Sequence, residues 1–567
     1  MRLARGVLKK AALGALPLAP LLAGCGRDVP VLAEPPLSAV LITLDTTNRD
    51  ALGCYGQALP LTPNLDRLAR EGLVFEQART VAPLTLPAHG SMLTGLAPLR
   101  HGVRDNGLFP LADEAETVAE RLSAAGFQSA AFVSAVVLAA PYGLDQGFAT
   151  YDAPRGSQAG ATGHFLERPA SETVRAACDW LQKRDRARPF FLWVHGFEPH
   201  EPYAPPPEFL ARAGGNPYLG EVAALDHALG ELVRTLEEEH GLERLVVIVA
   251  ADHGEALGDH GERTHSVLCS ERVLRVPLFV RLPGTARAGE RVVDPVSLTD
   301  VAPTLLDALG LTVPEGLDGR SLLATTPARG TYFESYTGYL NYGWSPLAGW
   351  LAGSAKYLHG TQPELYDIAL DPEERVNRFD ERGEDVARAR AALQTLATLP
   401  RLARADAPLD EALAADVHAL GYAGAAGVTS EFPEPLADTG LPAPRTRMEE
   451  LELFYRALVR HEKGKLAEAI ADLEAVVERN PLNTTALNVL ASYLYAEKDA
   501  ARALAVLQRI PEHARARATI QDLMGHCLEN LGRHSEAFAH FELALAVKPG
   551  DPHQQKDVER ARRSASR

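Results

Sequence analysis

The stretch TLPAHGSMLTG, residues 85–95, places a threonine two residues ahead of a proline, where the pattern turns helical. Threonine is a good helix N-cap and proline is at home in a first turn, so the plain reading of Thr85 is a cap. A helix N-terminus also offers N–H groups and partial positive charge, which suit a phosphate or a sulfate. An alcohol at that point attacks a tetrahedral centre only if something lowers its pKa, and a bound divalent cation does so. Residues able to hold such a cation are at hand. Asp45 closes the apolar run SAVLITLD, and Asp252 with His253 closes RLVVIVAADHGE. Carboxylates and imidazole suit a hard or borderline divalent ion. One strand-end aspartate is as readily a cap as a ligand. Three ligand-type residues leaving neighbouring strands on one side of a sheet favour the ion.

The elements that must position these groups are short. PFFLWVHGF, which runs into Glu198, is a third apolar run, and helical patterns such as AETVAERLSAAGF and GEVAALDHALGELVRTLEEEHG lie between the runs. Strands alternating with helices predict an α/β fold around a parallel sheet covered on both faces. Ligands of such sheets collect beyond the carboxyl ends of the strands, where Asp45, Asp252 and His253 fall.

The matching stretches then accumulate: LDTTNRDALGCYG, TPNLDRLAREGLVFEQA, TLPAHGSMLTGLAPLRHGVRDNG, FFLWVHGFEPHEPY, ADHGEALGDHGERTH, LRVPLFVRLPG, SLTDVAPTLLDALGL and PELYDIALDPEE. In this order they resemble the sulfatase-like branch of the alkaline phosphatase superfamily, over residues 38–400. The resemblance implies an alkaline phosphatase-like parallel-sheet sandwich with a small C-terminal subdomain. It implies a catalytic cation, one or two ions of zinc, calcium, magnesium or manganese, held by Asp45, Asp252, His253 and Thr85, with Thr85 as nucleophile. His200 matches a histidine that assists the leaving group, and His265 falls where sulfatases place a lysine against the bound ester. Glu198, His200 and His265 could hold a second metal, although their E-x-H spacing differs from that of two-zinc relatives. Asn106 would contact the phosphoryl oxygens.

Departures from the family pattern bear on the chemistry. Sulfatases carry Cys or Ser in C/S-x-P-x-R and oxidise it to formylglycine. The methyl group on the Cβ of Thr85 forbids that aldehyde, and His89 stands where the family has arginine. Threonine nucleophiles recur among the superfamily's phosphodiesterases and phosphoethanolamine transferases. The expected reaction is therefore attack of Thr85 on a phosphate ester, the covalent intermediate being resolved by water or a second alcohol. The alternatives are a sulfuric ester hydrolase working without formylglycine and a non-catalytic envelope scaffold. Further departures are Thr46 for the second aspartate of the sulfatase metal pair, Asn48 where an arginine is usual, Glu198 for an aspartate, and Ser266 for a glycine.

The chain has 567 residues and a formal net charge of −17, so it exceeds one ordinary core and argues against nucleic acid as a partner. Residues 1–24 carry four basic residues, then a short apolar run, then LLAG before Cys25. This resembles a bacterial lipobox, implying a cleaved signal peptide, lipidation of Cys25 and a chain anchored at the cell envelope, facing the periplasm or exterior. Residues 25–37 read as a linker, and so do 401–447. From 448 to 551 a repeat appears: Ala469, Ala503 and Ala537 are spaced 34 apart, as are Leu473, Leu507 and Phe541. That period resembles about three tetratricopeptide repeats, implying an all-α domain with a groove for a protein or peptide partner. Residues 552–567 are a charged tail. The expected substrate is a phosphorylated or sulfated small molecule, glycan or lipid head group.

Overall fold

A computed structural model of the chain describes residues 37–107, 109–154, 168–324, 329–403, 432–547 and 550–565. Cys25, the signal segment and most of the 401–447 linker lie outside the described residues. Among these residues no helix is long and apolar enough to cross a membrane.

Eight strands form the main sheet: β1 (Ser38–Leu44), β2 (Leu73–Arg79), β3 (Gln128–Phe132), β4 (Thr150–Asp152), β5 (Phe190–Gly196), β6 (Leu245–Ala251), β7 (Leu278–Arg281) and β8 (Arg291–Ser297). Their order is β4-β3-β5-β1-β6-β7-β2-β8. The central strands β5, β1 and β6 are parallel and buried along their whole length, which is why their sequences are continuous apolar runs instead of alternating ones. The expectation of a parallel sheet needs one correction: β7 runs antiparallel to both β6 and β2. Its short apolar run, LFVR, carries no mark of direction.

A second, antiparallel sheet comprises β9 (Thr331–Ser335), β10 (Leu347–Ala352), β11 (Ala355–His359) and β12 (Glu364–Asp367). Tyr336, Tyr342 and Trp344, in the segment 334–350, are buried, so their rings pack inside the protein and are not offered to a sugar.

The C-terminal region is helical, from Met448–Glu462 through Pro552–Ala565. All six periodic residues, Ala469, Ala503, Ala537, Leu473, Leu507 and Phe541, are 0% exposed. The alanines let paired helices approach, and the bulky residues fill the space between them. Gly525 extends the same logic, because a Cβ there would come within 2.6 Å of the Phe541 ring.

Candidate active site

The sheet places the two aspartates side by side by prolonging its own ladder. Asp45 N–H donates to the Gly196 carbonyl (3.0 Å), and Asp252 N–H donates to the Leu44 carbonyl (3.2 Å). Each acid is therefore held one residue past its strand, at the carboxyl edge. The loops are then tied together. Asn48 Nδ2 donates to the Glu255 carbonyl (2.9 Å) and Asn48 Oδ1 accepts from Glu255 N–H (2.8 Å). A short polar amide fits this double bond between main chains, which accounts for asparagine at this position. Thr46 donates its hydroxyl to the Pro199 carbonyl (2.8 Å) and its N–H to Asp252 Oδ1 (3.2 Å), so it joins the β1 and His200 loops.

Thr85 is the first residue of the helix Thr85–Thr94, one place beyond the cap position, and no side chain caps that helix from position 84. Asn106 does so from another loop, its Oδ1 accepting from Leu86 N–H at 2.8 Å. Thr85 is thus relieved of capping. Its Oγ1 lies 3.4 Å from His253 Nε2. The helix end is less open to anions than its sequence suggests: Leu86 N–H is taken by Asn106, Pro87 has none, and Ala88 N–H bonds the Leu84 carbonyl. A side-chain donor that remains is Asn106 Nδ2, buried and without a partner among the described residues. Asn106→Ala is expected to cost about 1 kcal/mol of stability through the lost cap and to lower kcat about tenfold or more through the lost donor; urea unfolding and steady-state rates measure the two separately.

His253 Nδ1 faces the Gly254 carbonyl at 3.1 Å, which puts the ring proton there and leaves Nε2 as a lone pair. That lone pair points at Asp45 Oδ1 (3.8 Å), Asp252 Oδ2 (3.6 Å) and the Thr85 hydroxyl. Both Asp45 oxygens and Asp252 Oδ2 are buried without a hydrogen-bond partner among the described residues. Three partnerless buried carboxylate oxygens facing an imidazole lone pair are costly unless a cation sits between them, so the donor set fits a divalent ion. Asp45, Asp252 and His253 have ligand atoms within 4.8 Å of one another. Burial pushes the Asp45 carboxyl up to about 6 and raises Asp252 as well. Burial works against a charged His253, yet Asp252 and Asp45 beside it outweigh that and hold its pKa above the usual value.

Two histidines complete the cluster from beneath. His89, one turn along from Thr85, donates from Nδ1 to the Thr85 carbonyl (2.8 Å) and lies 3.7 Å from Asp252 Oδ2. His195, inside β5, accepts at Nδ1 from Ser134 N–H (3.3 Å). Its proton is therefore on Nε2, which faces Asp45 Oδ2 at 3.4 Å. His89, His195 and Asp252 also have ligand atoms within 4.8 Å. The Ser134 contact nevertheless keeps the proton on Nε2, so His195 is not a metal ligand. Burial pushes His89 down to about 3 and His195 to about 4, so both are neutral at pH 7. His195 and the Glu255 backbone escape sequence reasoning: the first reads as core within an apolar strand, and the second acts without its side chain.

The trio Glu198, His200 and His265 is not assembled as a second metal site. Both Glu198 oxygens accept from Ala170 N–H (3.1 Å), so this carboxylate caps the helix Ala170–Lys183. His265 Nδ1 lies 3.1 Å from Glu255 Oε1, with its ring 4.5 Å from that of His253. His200 stacks on Phe197 (4.4 Å) and meets His265 edge-on (5.1 Å). His200 and Phe197 line a cleft of about 820 Å³ that also takes in Arg168 and Arg234. Ser266 has φ +95°, which glycine adopts more readily. Ser266→Gly is accordingly expected to raise stability by about 1 kcal/mol in urea unfolding.

Comparison with known proteins agrees with this fold. A family model described as Sulfatase matches residues 38–311, and two described as Tetratricopeptide repeat match 460–527 and 518–551. An arylsulfatase of Clostridium perfringens is 25% identical over 60% of this chain and 89% of its own length. Human arylsulfatase A is 29% identical over 51% of this chain and 68% of its own. Among solved structures, a protein in complex with its substrate D-glucosamine-2-N,6-O-disulfate superposes with a TM-score of 0.54 at 20% identity, covering 64% of this chain and 97% of that one. The phosphonate monoester hydrolase of Agrobacterium radiobacter gives 0.53 at 21% identity, covering 64% and 95%.

Proposed function

Since the chain belongs to the sulfatase family through residues 38–311 and ends in tetratricopeptide repeats, we propose that it is a metal-dependent hydrolase or transferase of phosphate esters with Thr85 as nucleophile. The observation that carries this reading is the Thr85 hydroxyl itself. It has no capping duty, and it faces the His253 lone pair beside three partnerless carboxylate oxygens. Asp45, Asp252, His253 and Thr85 would hold a divalent ion, which when bound would supply the positive charge that lowers the hydroxyl's pKa.

Thr85 Oγ1 then gives up its proton to water and attacks phosphorus, the bond from phosphorus to the leaving oxygen breaks, and that oxygen takes up a proton from water on the His200 side. Asn106 Nδ2 donates to a phosphoryl oxygen. His195 turns its Nε2–H toward Asp45 at 3.4 Å without bonding it, and His265 packs beside His253. Water or a second alcohol next attacks phosphorus, the Thr85–phosphorus bond breaks, and Thr85 regains its proton.

A second reading, sulfate ester hydrolysis without the aldehyde, is favoured by the sulfatase names of the curated relatives. Nitrophenyl phosphate mono- and diesters, a phosphonate monoester and a nitrophenyl sulfate separate the two. Turnover of sulfate with none of the phosphorus esters would overturn the first reading. Lipidation of Cys25 would hold the enzyme at the envelope, and the repeats would take a protein or peptide partner. Loss of membrane association in Cys25→Ala is the expected sign of the anchor.

A further inference from the structure

His265 reaches the site from the loop 254–268, which contains no strand and only the single turn Asp259–Gly261. Its internal support is modest. Ala256 N–H donates to the Thr264 carbonyl (2.6 Å), and Gly258 N–H to the Glu262 carbonyl (2.8 Å). The buried Glu262 carboxylate accepts from Val267 N–H (2.8 Å). A loop of this kind needs something to pack against if it is to hold an imidazole in place.

What it packs against is the first helix of the repeat domain, Met448–Glu462. Met448 and Leu451 share one apolar cluster with Val267, Leu268 and Trp344. The contact is close: a Cβ on Gly261 would lie 3.1 Å from the Met448 Cβ. Arg445, just before the helix, sets Nη1 at 2.5 Å from His260 Nδ1 and Nε at 3.0 Å from Glu364 Oε2. The loop that follows the next helix adds Asn480, whose Nδ2 donates to the Tyr342 carbonyl (2.7 Å). Between these anchors the half-buried Tyr455 packs its ring against the same apolar cluster. Val267 and Leu268, in that cluster, follow His265 by two and three residues.

We propose that Tyr455 is a positioning residue for His265, which makes the repeat domain a working part of the catalytic centre as well as a place for a partner. The inference rests on the assignment of His265 to the reaction. It departs from the usual division of labour, in which a helical repeat recruits and a hydrolase domain reacts.

The test uses the full chain. Tyr455→Phe removes only the hydroxyl, and Tyr455→Ala also removes the ring. Hydrogen–deuterium exchange is followed over residues 256–266 and over the helices Thr484–Ala496 and Ala518–Asn530, alongside kcat and KM. Tyr455→Ala is expected to speed exchange over 256–266 about fivefold and Tyr455→Phe by less, with the later repeat helices unchanged. Turnover of the best ester is expected to fall about fivefold in kcat with KM within twofold. Arg502→Ala, on an exposed ion pair elsewhere in the repeats, is expected to change neither. Unchanged exchange over 256–266 in both Tyr455 variants would overturn the proposal, as would faster exchange with unchanged kcat. If the parent chain turns over neither phosphorus nor sulfate esters, the reading of the site fails, and exchange alone still decides whether Tyr455 holds the loop.

Discussion

Thr85→Ala is expected to fold as the parent does and to lose at least about a thousandfold in kcat, because the attacking atom is gone while the rest of the site stands. Thr85 is buried, but its hydroxyl caps nothing, and the Asn106 bond to Leu86 N–H that holds the helix start remains in the variant. The melting temperature should therefore move little. Thr85→Ser keeps the hydroxyl on the same Cβ and should retain activity within about tenfold. A helix-capping role alone predicts the reverse: Thr85→Ala would lower stability by about 1 kcal/mol and leave turnover intact. Steady-state kinetics beside thermal unfolding decide between the two.

Chelation is expected to have the second large effect, abolishing turnover and lowering stability in a pH-dependent way. Without an ion, burial raises the Asp45 carboxyl from 3.8 to about 6, and Asp252 moves in the same direction. A carboxyl whose folded pKa is raised favours folding below its unfolded pKa, and that contribution is lost as pH rises through the folded value. The ion-free protein should thus lose stability between about pH 4 and pH 6, by about 3 kcal/mol for Asp45 alone. His253, its pKa also raised, loses its contribution as pH climbs further, so the signs agree. A divalent ion replaces the missing countercharge and should flatten this dependence. Urea midpoints at pH 4.5, 5.5 and 7.5, with chelator and with added zinc, calcium, magnesium or manganese, measure it. Equal midpoints with and without every ion would count against a metal-dependent site.

The parts of the site legible in the sequence are those tied to the ends of regular elements. Asp45 and Asp252 follow apolar runs, and Thr85 opens a helix, so their position at one edge follows from the α/β pattern. What stayed hidden depends on contacts that cross the chain. His195 reads as core because it sits in FFLWVHG, and only Ser134, 61 residues away, fixes which of its nitrogens faces Asp45. Glu198 misleads because His200 stands two residues after it, whereas its carboxylate turns to Ala170, 28 residues earlier. Asn106 was read as a contact to phosphoryl oxygens, and its capping of the Thr85 helix carries no local signature. The 34-residue period reports how repeats pack on one another. It says nothing of the face that meets residues 256–268, since that seam is built from Met448, Tyr455 and Asn480, positions outside the period.

The most direct measurement is to quench a reaction with a nitrophenyl phosphate in acid during turnover and map the peptide that contains residue 85 by mass spectrometry. A phosphoryl group on Thr85, absent from Thr85→Ala and replaced by one on serine in Thr85→Ser, is the expected result. Turnover in progress with that peptide unmodified, or with the phosphoryl group on another residue, would contradict the account.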